Sequence, residues 1–239
     1  MSVDPKAYYD QFSVTYDRRR SRGYHALIDE IQADSVPLSK SSRILEAGCG
    51  TGLVMRALRA RGATDLVGID LSSGMLGAAR REGERVAQAS VTALPFADAS
   101  FDGAYSFKVL AHVPDIRLAL REMARVVRPG GTLVVEFYNR GSMRGLRWKL
   151  KKLLGGERTG ERQRETELFT RYDSLADMIS YLPPGTRLEA VKGAIVVTPA
   201  AAVMRIPLLS SVLSFLERRA AASALARYAG FVMLVVRRL

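Results

Sequence analysis

Arg43-Ile44-Leu45-Glu46-Ala47-Gly48-Cys49-Gly50-Thr51-Gly52 is the stretch whose reading decides the fold. Ile44 and Leu45 form a short apolar run, Glu46 stands where that run ends, and glycines follow at the alternate positions 48, 50 and 52. This pattern predicts a buried strand followed by a turn built on positive φ, which glycine adopts without a Cβ clash. Such a turn brings backbone N–H groups close to a ligand, and a phosphate cradle would use the same glycines. Glu46 speaks against phosphate. A carboxylate at the mouth of the turn repels a pyrophosphate and suits a cationic or zwitterionic ligand that carries an ammonium. Leu53 also stands where the dinucleotide fingerprint G-x-G-x-x-G needs its third glycine, which leaves a nicotinamide enzyme a distant alternative.

Working outward, a second apolar run, Leu66 to Ile69, ends in Asp70, 20 positions after Gly50. In a chain of alternating strands and helices this places a carboxylate at the tip of the neighbouring strand, able to accept ribose hydroxyls. Leu71-Ser72-Ser73-Gly74-Met75-Leu76 follows, then Ala93 to Asp102 (A-L-P-F-A-D-A-S-F-D), Ser106 to Val113 (S-F-K-V-L-A-H-V) and Arg128 to Leu133 (R-P-G-G-T-L). With E-A-G-C-G-T-G as motif I, this succession resembles the class I S-adenosylmethionine-dependent methyltransferases over residues 40 to 140. Within that family the core is most similar to the ubiquinone and menaquinone C-methyltransferase group.

The resemblance implies an α/β fold, a doubly wound, mostly parallel seven-stranded sheet of Rossmann-like type, with a helical substrate cap. It implies S-adenosyl-L-methionine as cofactor, contacted by Glu46, Gly48, Cys49, Gly50 and Asp70, with Leu71 and Met75 in the segment that lies against adenine. Ser90 stands where these enzymes carry an acidic residue, so its hydroxyl is expected to meet the adenine amino group, with the Val91 backbone N–H beside it. The backbone of Lys108 is expected along the cofactor, its side chain reaching an acidic substrate or solvent. Tyr16, in an N-terminal helical lid, is the expected contact from above.

Length and composition fit one domain over residues 1–239, with a lid at 1–40 and cap insertions at 140–185 and 198–229. Apolar residues make up 48% and charged residues 25%, as in ordinary soluble globules. The single cysteine, Cys49, excludes an internal disulfide framework and a cysteine-based zinc site, and no metal-ligand constellation stands out. The N-terminus has no apolar core of a signal peptide, so a cytoplasmic location is expected. The net charge of +12 is uneven: residues 1–139 hold 18 Lys+Arg against 16 Asp+Glu, and residues 140–239 hold 18 against 8. The excess therefore serves a substrate or surface partner rather than the cofactor.

His112, in the loop after the fourth strand, is the natural general base at neutral pH, and a structural role for it stands beside that reading. Glu136, Tyr138 and Asn139 fall at the C-terminal end of the fifth strand, where open α/β sheets bind ligands, and are candidate substrate contacts. Residues 142–154 read as an amphipathic helix whose cations share a side with Trp148, a further candidate substrate contact, and the composition suits an anionic amphiphile, a membrane surface or a solvated lid helix. A helix from Pro207 through Leu208, Val212 and Leu216 is expected to roof an apolar substrate chamber. The chemistry expected is methyl transfer to a small, largely apolar acceptor with a polar or acidic head: a quinone, lipid or secondary metabolite. The alternatives are an RNA or protein methyltransferase using the basic region, although nucleic acid is disfavoured by the lack of a stacking platform, and a scaffold that binds cofactor without turnover.

Overall fold

The computed structural model describes residues 4–20, 23–37, 39, 42–142, 145, 169–198 and 200–239. Within them the strands are β1 (Arg43–Ala47), β2 (Asp65–Asp70), β3 (Val86–Gln88), β4 (Phe101–Ser106), β5 (Val127–Tyr138), β6 (Thr186–Ala194) and β7 (Phe231–Arg238). They form one seven-stranded sheet in the order β3-β2-β1-β4-β5-β7-β6. All neighbours are parallel except the two made by β7, which runs antiparallel between β5 and β6. From β1 the chain first builds outward through β2 and β3, then returns to lay β4 on the other side of β1. That reversal opens a crevice at the C-terminal end of β1, the place where doubly wound sheets take their ligands.

Helices α1 (Pro5–Arg20), α2 (Tyr24–Ser35), α3 (Leu53–Ala60), α4 (Ser73–Arg81), α5 (Ile116–Val126), α6 (Leu175–Ser180) and α7 (Pro207–Ala221) surround the sheet. Successive strand residues feed opposite faces. Leu45, Ala104, Leu133, Val135 and Leu234 join Leu120 and Met123 of α5 in one core, while Ile44, Tyr105, Val134 and Met233 join Ile28 of α2 and Leu58 of α3 in the other. Strands covered on both sides carry continuous apolar runs rather than alternating ones, which is why these runs are readable in the sequence. Helix starts are set locally: Ser72 accepts the Met75 N–H at 3.1 Å, Asp115 accepts the Leu118 N–H at 3.0 Å, and Ser174 with Asp177 closes a capping box.

Three features of the sheet and its insertion have local physical causes. β5 starts at Val127. Phe101 pairs with Val127 and Gly103 with Thr132, so Arg128 to Gly131 bulge out of the ladder. β6 ends at Ala194, because Ile195 turns at φ +64° and the next three N–H groups go to the Glu217 carboxylate. Residues between β6 and β7 form α7 flanked by 3-10 turns at Ala201–Arg205 and Ala224–Tyr228, and the leucines expected to line an apolar chamber do not face inward among the described residues. Leu208, Val212 and Leu216 point to solvent, because the opposite side of α7 is held by buried Glu217. No described helix is long and apolar enough to cross a membrane. The expected helix at 142–154, with Trp148, lies outside the described residues except for Ser142 and Gly145.

Candidate active site

The turn after β1 is fixed by its backbone. Gly48, Gly50 and Gly52 hold φ of +86°, +53° and +79°. The Gly48 and Cys49 N–H groups both donate to the Ile69 carbonyl, at 2.7 and 2.8 Å, which ties the turn to the tip of β2. A Cβ at position 48 would stand 2.2 Å from Val109 Cγ2, whereas one at position 50 would meet nothing within 4 Å. The turn is thus packed at Gly48 and open at Gly50.

Asp70 closes the other side of this opening. Its two carboxylate oxygens accept the Gly50 N–H at 2.9 Å and the Ser72 N–H at 2.8 Å, and each keeps a further lone pair for a hydroxyl. Burial raises the Asp70 carboxyl from its ordinary range, and those two N–H groups oppose the rise. Leu71, next in the chain, is 45% exposed and offers an apolar ledge, while Met75 is buried. The open Gly50, the spare acceptor capacity of Asp70 and the Leu71 ledge fit a ribose with an attached base, which is the adenosyl part of S-adenosylmethionine.

The other residues expected at the ligand are held by partners within the chain. Cys49 turns its side chain under the sheet against Gly68, where a Cβ would lie 2.7 Å from its sulfur, so only its backbone belongs to the turn. Burial pushes its thiol well above the ordinary value and keeps it protonated, which makes it a packing residue. The Ser90 and Thr92 hydroxyls share a hydrogen bond at 2.7 Å, and Ser90 Oγ accepts the Thr92 N–H at 3.2 Å. A side chain too short to reach outward has closed on its own turn. Val91 beside it is buried. Glu46 lies under the turn with the Tyr105 hydroxyl donating to it at 3.0 Å. Burial pushes its carboxyl well above the ordinary range, with the Tyr105 hydroxyl opposing the rise.

Helix α1 lies across this site and is latched to it. The Asp10 carboxylate accepts the Ser72 hydroxyl at 2.6 Å and the Gly74 N–H at 2.9 Å. A Cβ at Gly74 would come within 2.8 Å of Ser13 Oγ, so glycine sets how closely α1 packs on α4. A second latch joins Asp17 to the Thr51 hydroxyl at 2.6 Å and to Arg56 at 3.4 Å. Tyr16 stands between them, ring to ring with Phe12 at 5.4 Å and with the Arg20 guanidinium 4.9 Å from its centroid. Burial pushes its hydroxyl up to about 12.

Beside the crevice lies a group of charges. Lys108 follows β4 at φ +61°, rare for a residue with a Cβ and a conformation that costs of order 1–3 kcal/mol. Its side chain reaches neither solvent nor an open site: Nζ lies 2.5 Å from Asp29 Oδ1 of α2, and Arg20 pairs with the same carboxylate at 2.7 Å. Burial favours the neutral Asp29 carboxyl, but Lys108 and Arg20 outweigh it and hold the group below its ordinary range. The Lys108 backbone N–H donates to Glu136 Oε1 at 3.0 Å, and Gln32 donates to the other Glu136 oxygen at 2.5 Å. Glu136 is thus fully buried and held by a lysine's backbone and a glutamine rather than by an arginine or a substrate. Burial pushes its carboxyl up to about 6, with Lys108 as the main opposing charge.

Asn139 is not a substrate contact. Its amide donates to the carbonyls of Arg227 and Ala229, at 2.8 and 2.9 Å, and its oxygen accepts the Gly141 N–H. It staples the end of β5 to the turn before β7. Tyr138 and His112 do come together, with ring centroids 5.7 Å apart, and Tyr9 of α1 lies 6.4 Å from the same imidazole. The sequence reading missed Asp10, Asp17, Arg20, Asp29 and Gln32. Each is a polar residue on a helix, and only its distant partner distinguishes it from a solvated one.

A family model described as a methyltransferase domain matches residues 45–135. A 24-methylenesterol C-methyltransferase 2 of Oryza sativa is 33% identical over 131 residues, 52% of this chain and 36% of that protein. The O-methyltransferase resE of Aspergillus sclerotiorum is 39% identical over 105 residues, 41% of this chain and 40% of that protein. A malonyl-[acyl-carrier protein] O-methyltransferase of Erwinia pyrifoliae is 39% identical over 104 residues, covering 43% and 39%. The chain therefore matches 36 to 40% of the length of these relatives. Among solved structures, an S-adenosylmethionine-dependent methyltransferase of Thermotoga maritima, titled a possible histamine N-methyltransferase, superposes with a TM-score of 0.70 at 21% identity over 98% of this chain and 99% of that one. The [4+2]-cyclase SpnF superposes with a TM-score of 0.65 at 18% identity over 100% and 97%. The two superpositions show a shared fold. Residues 45–135 thus match a methyltransferase domain, and the chain as a whole folds as S-adenosylmethionine-dependent methyltransferases of known structure do.

Proposed function

We propose that the protein transfers the methyl group of S-adenosylmethionine to a small, largely apolar acceptor with a polar or acidic head, and that His112 is the base. The observation that carries this reading is the seat of His112. Its Nδ1 lies 3.0 Å from the Phe169 carbonyl oxygen. A carbonyl only accepts, and the Thr170 hydroxyl, 3.2 Å from the same nitrogen, can accept as well, so the contacts of Nδ1 suit a proton there and a basic Nε2. The imidazole stands among aromatic rings: Tyr9 and Tyr138 flank it, and Tyr138 in turn meets Phe231 at 5.2 Å and exposed Tyr172 at 5.7 Å. Ring faces of this kind bind apolar bodies through contact area, and tyrosine hydroxyls give the same surface polar ends.

When bound, S-adenosylmethionine supplies an electrophilic methyl carbon. The residues of the chain orient and shield. Asp70 and the glycine turn would hold the adenosyl part, α1 covers the crevice, and alignment with exclusion of water can be worth ~7–11 kcal/mol. His112 would take the proton of an acceptor hydroxyl or carbon acid at Nε2. The relatives named for a methylenesterol and for a malonyl group on a carrier protein support an apolar body and an acidic head respectively.

Labelled methyl transfer across quinone, lipid and secondary-metabolite extracts, beside calorimetry with S-adenosylhomocysteine, tests the reading. Transfer to an apolar acceptor is expected, with kcat of His112→Ala lowered at least ~100-fold and S-adenosylhomocysteine affinity unchanged. Binding of S-adenosylhomocysteine without transfer to any extract would make the protein a scaffold. Transfer only to RNA or protein would overturn the acceptor class, and a His112→Ala variant near wild-type kcat would remove the base.

A further inference from the structure

Helix α7 is built inside out. Glu217, Ala220 and Ala221 are buried, while Leu208, Val212, Phe215 and Leu216 are exposed, Leu208 to 80% and Phe215 to 59%. At ~100° per residue, Leu208, Val212, Phe215 and Arg219 share one stripe, and Glu217 lies about 180° round from Leu208. Hydrogen bonds rather than apolar burial fix this orientation. The Glu217 carboxylate accepts the N–H groups of Val196, of Val197 at 3.1 Å and of Thr198 at 2.9 Å, and the Thr198 hydroxyl at 2.8 Å. Arg218 locks the flank through ion pairs with Glu30 and Asp34 of α2. The apolar stripe cannot roll inward without stripping a buried carboxylate of its donors.

We propose that this stripe docks the protein on an anionic lipid surface, with Leu208, Val212, Phe215 and Leu216 at the acyl boundary and Arg219 and Arg227 at the headgroups. Residues 206–229 contain Arg218, Arg219 and Arg227 against Glu217 alone, and Glu217 is buried, so the outward side of this segment is apolar and cationic. The Arg219 guanidinium lies 5.2 Å from the Phe215 ring centroid, which puts a cation on the stripe itself. An apolar stripe edged by arginines is the composition of helices that lie in a membrane interface. A second copy is a poorer occupant. A twofold contact on this stripe would bring Arg219 against its equivalent with no exposed carboxylate from the segment to offset it, between chains of net charge +12. Glu217 binds the chain directly after β6, so α7 sits at the sheet edge that also holds Asp70 and His112. The inference stands whatever acceptor is methylated.

Sedimentation of the full chain with vesicles of phosphatidylcholine, with and without one third phosphatidylglycerol, tests it. Partition onto the anionic vesicles should be about 10-fold stronger or more, and should weaken as salt is raised. Val212→Asp with Phe215→Asp should abolish it, and Leu208→Asp alone should weaken it, both with S-adenosylhomocysteine affinity unchanged as evidence of a retained fold. Three results would overturn the proposal. One is no binding to anionic vesicles at low salt. Another is wild-type binding by the double variant, which would move the contact elsewhere on the chain. The third is a wild-type dimer in analytical ultracentrifugation that the double variant dissociates, which would make a second copy the occupant.

Discussion

Glu46 and Glu136 are buried carboxyls that hold protons which exposed ones would release, and each makes a separate prediction. Burial pushes Glu46 well above its ordinary range against the opposing Tyr105 hydroxyl, with Asp29 and Asp70 adding to the rise. A ligand ammonium beside Glu46 would favour its charged form, so binding should expel a proton and tighten as pH rises towards the free-state value. Calorimetry of S-adenosylhomocysteine in buffers of different ionisation enthalpy should detect that proton, and Glu46→Gln should remove it. Glu136 is raised from 4.5 to about 6, so the folded state holds a proton the unfolded chain has lost between those values. Stability therefore falls as pH rises through that window, by about 2 kcal/mol, and then levels off. Glu136→Gln should recover about 1–2 kcal/mol at pH 8 and change nothing below pH 4, read from urea midpoints. Its amide can donate to Gln32 Oε1, a buried atom with no partner among the described residues, if the Gln32 amide turns over. Equal slopes for wild type and variant would refute the assignment.

Helix α1 is tied to the site by polar contacts, and we propose that it acts as a lid that parts from the sheet. Ser72 links three parts of this arrangement: its hydroxyl donates to Asp10 and caps α4, and its N–H donates to Asp70. The hydrogen bond and charge of Lys6, then the Ser72 hydroxyl and the Gly74 N–H, hold the Asp10 carboxyl well below the ordinary carboxylate range. The latch therefore persists above the normal carboxylate pKa and is lost only as pH falls through that depressed value. Asp10→Ala should speed amide exchange across α1 by ~10-fold or more and raise the dissociation rate of S-adenosylhomocysteine, with core amides unaffected. Unchanged exchange in α1 would show that the aromatic ladder Tyr8, Phe12 and Tyr16 carries the lid instead.

Across the whole molecule, what could be read in the sequence follows the reach of each interaction. The glycine turn and Asp70 are legible because backbone conformation and a spacing of 20 residues fix them, and the parallel strands because burial on both faces leaves plain apolar runs. The charge group around Lys108 is not legible. Lys108 meets Asp29 across 79 residues and Gln32 meets Glu136 across 104, and no local pattern separates these polar side chains from solvated ones. Asn139 was misread because its position at a strand end suits a ligand contact as well as a staple. The orientation of α7 was misread because its leucines suggested an inner lining. The one signal against that was Glu217, a lone acid on a helix otherwise apolar and basic, which needed buried donors only the fold reveals.

The seventh strand is the last of the described strands in the chain, yet it is the sixth in space, with β5 on one side and β6 on the other. Its pairing with β5 runs from Thr132 opposite Arg237 to Tyr138 opposite Phe231. While the ribosome is still making the segment before residue 231, β6 has no neighbour to join and β5 presents a bare edge open to any passing strand. Completion of the sheet thus awaits a late insertion of high sequence separation, the slow and aggregation-exposed kind. Leu234→Ala, at a fully buried site in β7, should cost 2–5 kcal/mol by the usual range for such truncations, almost all of it as faster unfolding in stopped-flow chevrons. Until β7 arrives, the emerging chain carries β5 as an unpaired edge able to join the strand of another chain.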